Sequence, residues 1–226
     1  MPMRLRDLRP FVVAFAVACA PPKATSGRAA HPDARAPVTS AAPMAPRPPA
    51  DVTDVASIYV RRTTDPESSM PTVGGWIRVH ASLARTYAQA LRFGEIKDLD
   101  PDIEQSTVVD KDPAHSTTDV YLRIPTYLHE YVWAIVRFRP VDPPGDPAVV
   151  GHAYRGDEVD GNLDDLRIAW RVVPAGPDET LAQLELLADP RLPLPRAWLI
   201  PQLREGLRIM LTRFKRRAED RPIDDE

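Results

Sequence analysis

Proline does most to limit what this chain can fold into: it has 26 Pro against 10 Gly, where about 5% Pro is usual. The prolines are unevenly placed. Residues 21–50 hold eight Pro and nine Ala in thirty positions, with no aromatic side chain. Such a stretch lacks the apolar surface to offset its ordering entropy, so it reads as a disordered, extended tether over residues 20–50. Folding is then confined to residues 51–226, which is ample for one domain with a sizeable core.

Charge divides at the same boundary. Residues 1–50 carry seven basic and two acidic side chains, a net +5, which leaves −8 to the remainder of a chain whose total is −3. An acidic domain repels phosphate backbones, and no basic stripe with interleaved aromatics precedes the C-terminal turns, so nucleic acid is excluded as a partner.

Residues 1–19 read as a targeting segment. Met1–Pro10 has three Arg and one Asp, and leads into Phe11–Ala20, ten residues with no polar group beyond a thiol. Ten is too short to span a bilayer, which takes about 20 residues, but has the length of a signal-peptide core. The sole cysteine, Cys19, closes that run after Ala16-Val17-Ala18. This resembles a bacterial lipobox, in which small residues precede the cysteine that takes the lipid; the departure is Ala16, where the motif prefers leucine. Cys19 is therefore the expected lipid-attachment site, with a lipid-anchored domain in a bacterial cell envelope as the implied location. The other reading is a plain secretory signal cut at Ala16-Val17-Ala18, giving a soluble exported protein.

Within 51–226, short runs with period-two alternation predict strands at Ser57–Arg61, Trp76–His80, Ile103–Val109, Thr118–Ile124, Tyr131–Phe138, Val149–Tyr154, Leu163–Val173 and Thr180–Leu187. Asp112-Pro113, Pro125, Pro140–Pro147, Gly156–Gly161 and Pro174–Pro177 read as breakers between the later strands, and the second strand starts after Gly74-Gly75. Ser82 is a natural N-cap for a helix over Leu83–Arg92, with Leu83, Tyr87 and Leu91 on one face and Gly94 as its stop. Strands in succession without intervening helices imply an antiparallel meander. The chain closes with a helix beginning near Pro195 or Pro201, in which Ile200, Leu203, Leu207, Met210 and Phe214 form an apolar stripe. Its last turns are basic (Arg213, Lys215, Arg216, Arg217), as the helix dipole favours.

Two strands bear on what the sheet encloses. Leu166, Ile168, Trp170 and Val172 alternate with polar or small neighbours, which predicts one dry face. Tyr131–Phe138 is apolar on both parities, so the strand is covered on both sides or faces a cavity on one. Arg137 shares the parity of Tyr131 and Trp133, and is either the polar anchor of a pocket or a side chain snorkelling at the sheet rim.

The order of elements resembles the START-type lipid-binding domains of the SRPBCC, or polyketide-cyclase-like, superfamily. The resemblance rests on Ser57-Ile58-Tyr59-Val60-Arg61-Arg62, on Trp76–Ser82 running into Tyr87 and Leu91, and on Pro101–Val109 and Asp119–Arg123. It is strongest in Trp170–Pro174, Thr180–Leu187, Asp189-Pro190 and Leu194–Ile200. Where many START domains have an Arg-Asp pair before the central strand, this chain has His129-Glu130. The resemblance implies an α+β helix-grip fold: a curved antiparallel sheet wrapped around a long C-terminal helix, with a tunnel for a lipid or sterol-like ligand between them. Ranked by size and alternation, the ligand-binding candidates are Tyr131, Trp133, Arg137, Trp170, Met210 and Phe214.

Catalytic signatures are absent. There is no Gly-rich phosphate loop and no G-x-S-x-G elbow. His129-Glu130 opens like a zinc-protease helix, but Trp133 stands where the second histidine belongs. The five histidines lack ligand spacing, so no metal or other cofactor is expected. His152 and Tyr154 are the only acid/base candidates near a possible cavity strand. Three functions follow: a carrier of an apolar small molecule or lipid, tethered to a membrane through Cys19; a scaffold lipoprotein whose cavity has collapsed; or a cyclase- or hydrolase-like enzyme.

Overall fold

The computed structural model of the chain describes residues 51–62, 70–125, 131–141, 151–190 and 196–220, together with Pro48. The targeting segment with Cys19, the tether apart from Pro48, His129-Glu130, Val149 and Leu194-Pro195 lie outside the described residues.

Eight strands form one antiparallel sheet in the order β1-β2-β8-β7-β6-β5-β4-β3. They are β1 (Ser57–Arg61), β2 (Thr72–Val79), β3 (Gln105–Asp112), β4 (Thr117–Pro125), β5 (Tyr131–Val141), β6 (His152–Gly161), β7 (Leu163–Gly176) and β8 (Glu179–Pro190). From β3 to β8 each strand pairs with the next, the meander expected of closely spaced strands. The connection from β2 to the far edge strand β3 carries α1 (Leu83–Ala90) and a 3-10 helix (Phe93–Asp98). The last helix, α2 (Arg196–Ala218), packs on β1, β2, β8 and α1.

Several glycines and prolines that read as breakers or strand boundaries sit inside strands, because a neighbour needs the room. Gly74 lies opposite Tyr59, and a Cβ there would overlap the ring. At Gly75 a Cβ would come within 2.7 Å of Leu211 on α2, so this glycine lets the helix approach the sheet. Gly156 gives way in the same manner to Phe138 and Val136. Pro140 ends no strand either: it pairs with Tyr154 near the end of β5. Helix α1 does begin at the Ser82 cap, whose hydroxyl accepts from the Arg85 amide at 3.4 Å. It ends at Ala90, however, and Gly94 falls within the 3-10 helix. The buried face of α1 is Thr86 and Ala90, whereas Leu91 is exposed. Helix α2 starts at Arg196, so Pro201 is interior and removes the bond to the Ala197 carbonyl.

Register decides the two faces of the sheet. Val120, Val136, Ile168, Trp170, Leu184 and Ile77 share a buried cluster with Leu207, Leu211 and Phe214 of α2. That is the concave, helix-facing side. The convex side carries ion pairs, among them Arg137–Asp119 and Arg155–Asp157, and a small second core of Val52, Trp76 and Val173. Residues 52 and 53 reach that second core by accepting from Arg78: its Nε donates to the Val52 carbonyl at 3.2 Å and its amide to Thr53 at 3.0 Å.

Candidate functional site

The six residues singled out by size and alternation divide between the two faces. Trp170, Met210 and Phe214 lie on the helix side, where Trp170 and Phe214 meet with ring centroids 4.7 Å apart. Tyr131, Trp133 and Arg137 have the opposite parity and lie on the convex face. There Trp133 stacks at 6.2 Å on Tyr121, the Arg123 guanidinium sits 4.5 Å over Tyr131, and Arg137 holds the buried Asp119 with two bonds of 2.8 and 2.6 Å. The helix-facing set on β5 is instead Val132, Ala134, Val136 and Phe138. Both parities of β5 are apolar, so alternation alone leaves its orientation undecided.

A pocket of about 290 Å³ opens at one end of the strands, between Tyr87 of α1, Pro140–Val141 of β5 and Gly151–Tyr154 around the start of β6. His152 and Tyr154 lie opposite Val172 and Trp170 and therefore point to the helix-facing side. Helix α1 is pinned beside them by a buried relay. The Thr86 hydroxyl donates to that of Thr180 at 3.4 Å, which donates to the Ala81 carbonyl at 2.7 Å. This places Tyr87 over β6, stacked on the His152 ring at 3.9 Å, with its hydroxyl 2.7 Å from that of Tyr154. Behind the pair, Phe93 meets Tyr154 edge-on at 5.5 Å and stacks on Phe138 at 4.2 Å.

Burial, and then the Tyr87 hydroxyl, push the Tyr154 phenol well above the ordinary tyrosine range, so it stays protonated. Stacked rings provide apolar faces and the hydroxyl pair a polar tip. Among the described residues no three His, Cys, Asp or Glu side chains gather as metal ligands, and no helix is long and apolar enough to cross a membrane.

Of this site, His152 and Tyr154 were legible in the sequence as the acid/base candidates beside a cavity strand. Tyr87, Phe93 and Phe138 were not. Tyr87 carried only the signal of an apolar helix face, and nothing local ties it to a partner 67 residues further on.

A curved antiparallel sheet closed over by a C-terminal helix is the helix-grip architecture, and this chain has the START-like form of it. Neither a family model nor a curated protein matches the sequence. Solved structures do match the fold. A STAR-related lipid transfer protein from Xanthomonas axonopodis is similar at TM-score 0.58 and 15% identity, over 75% of this chain and 97% of that one. Human StAR-related lipid transfer protein 5 is similar at TM-score 0.59 and 9% identity, over 75% and 85%. The Zhui aromatase/cyclase from a Streptomyces species is similar at TM-score 0.51 and 17% identity, over 66% and 93%.

Proposed function

We propose that the chain is a non-enzymatic binder or carrier of an apolar ligand, exported and held at a cell-envelope membrane through lipidated Cys19. The observation that carries the ligand reading is the pocket between α1, the end of β5 and the start of β6, which Tyr87, His152 and Tyr154 line with rings and polar tips. Its volume of about 290 Å³ stands at the low end of the roughly 300–1,000 Å³ usual for small-molecule sites. It therefore takes a small ligand, or one end of a larger one. Two similar structures are named as lipid transfer proteins, which supports the ligand class. The leader and the Pro/Ala tether support the anchored location.

A second reading has its own support. Trp170, Phe214, Leu207 and Leu211 pack into the space between sheet and α2, as expected of a scaffold whose cavity has collapsed. Native mass spectrometry of the purified full chain, with organic extraction, separates the two. The expected result is a one-to-one apolar adduct that is lost on denaturation. A clean protein mass after incubation with mixed lipids, sterols and small aromatic compounds overturns the ligand reading and leaves the scaffold.

A further inference from the structure

Tyr87 and Tyr154 are joined hydroxyl to hydroxyl at 2.7 Å, and either oxygen is able to donate. Each phenol has one proton. Whichever donates to the other, one proton is spent within the pair and one is left over. Among the described residues neither hydroxyl bonds any other group. The leftover proton therefore belongs to the pocket, which both tyrosines line. Around it stand π-faces: His152 on Tyr87, and Phe93 edge-on to Tyr154.

From this juxtaposition we infer that the pocket selects a ligand of one or two rings that carries a hydrogen-bond acceptor, a ketone, aldehyde or ester oxygen, against the matching hydrocarbon. The inference rests on the reading of this pocket as a ligand site. Size sets the ring count: a cavity of about 150 Å³ holds a benzene, and this one is about 290 Å³. Chemistry sets the acceptor. A ligand that fills the pocket strips water from the spare hydroxyl, and leaving a buried donor unpaired costs roughly a factor of ten to a hundred in affinity. A carbonyl oxygen restores the lost bond, and the isosteric alkene does not.

The test is titration calorimetry of the full chain with a matched pair, 2-acetylnaphthalene and 2-isopropenylnaphthalene. The ketone is expected to bind at least tenfold more tightly. Tyr87→Phe and Tyr154→Phe, each alone, are expected to keep that preference, because the remaining hydroxyl still has a free proton. The double variant is expected to lose it, and its urea midpoint and far-UV circular dichroism report separately that it is folded. Equal binding of the two compounds by the unaltered chain, or a ketone preference that survives in the double variant, overturns the inference and leaves the site reading standing. Binding of neither compound overturns both.

Discussion

Single residues in this fold are constrained mainly by what stands opposite them. Gly74 faces a Tyr59 ring that has no freedom to retreat, since its hydroxyl donates to Glu185 at 2.7 Å and accepts from Gln183 at 2.5 Å. Gly74→Ala is expected to lower stability by about 1–3 kcal/mol, the usual cost of overpacking, as read from urea unfolding. Asp100 is constrained by charge. Burial raises its carboxyl from the ordinary 3.8 to about 6, against the opposing pull of the Asp102 amide, which donates to it at 3.0 Å, and of Arg213. The folded chain therefore binds this proton at a pH where the unfolded chain has released it. Its contribution to stability is full below pH 3.8 and is lost as pH rises through about 6. Asp100→Asn should be more stable than the unaltered chain by about 1–3 kcal/mol at pH 7. The gap should narrow as pH falls from 6 to 4, and urea midpoints across that range check it.

At the scale of elements, α2 is joined to the sheet by a buried ion cluster as well as by its apolar stripe. The Lys215 ammonium, 7% exposed, bonds Asp54 and the Arg78 carbonyl at 2.8 Å each, and Glu219 at 2.9 Å. One side chain thus ties the C-terminal turn of α2, the end of β2 and the segment ahead of β1. Lys215→Met takes the ammonium away from the Glu219 carboxylate, which is 3% exposed and still accepts from the His80 amide at 2.7 Å, and is expected to cost about 3–5 kcal/mol. Asp54 is 60% exposed, so Asp54→Asn removes a pair that water replaces and should cost under about 1 kcal/mol. Equal losses in chemical denaturation would contradict this assignment. The edge strand β3 shows a different device. Its pairing slips between Val108 and Asp110, and Asp110, Lys111 and Asp112 are charged, which discourages edge-to-edge association.

For the whole molecule, the proposal joins a ligand domain to a lipid anchor through the proline-rich stretch. Cys19→Ala, expressed in a bacterial host, is expected to move the protein from the membrane pellet to the soluble fraction. An unchanged soluble distribution with and without the thiol would favour the plain secretory signal. Much of the architecture is legible in the sequence. Strand positions, the Ser82 cap, the closing helix and its basic last turns follow from alternation, capping chemistry and dipole preference, all of which act within a few residues. The helix-grip fold is implied by the resemblance to START-type domains that these elements carry in order. The parity of β5 does not follow, because a strand apolar on both sides has two equivalent faces until other elements cover one; Phe138 rather than Trp133 lies on the covered face, stacked on Phe93 of the 3-10 helix. Nor does the placement of Gly74, Gly75 and Gly156 inside strands, which depends on side chains arriving from β1, β5 and α2. Local periodicity thus determined which elements form. Contacts across the chain, from Gly75 against Leu211 to Tyr87 against Tyr154, decided which faces meet and where the pocket opens, since burial is shared between residues far apart in sequence.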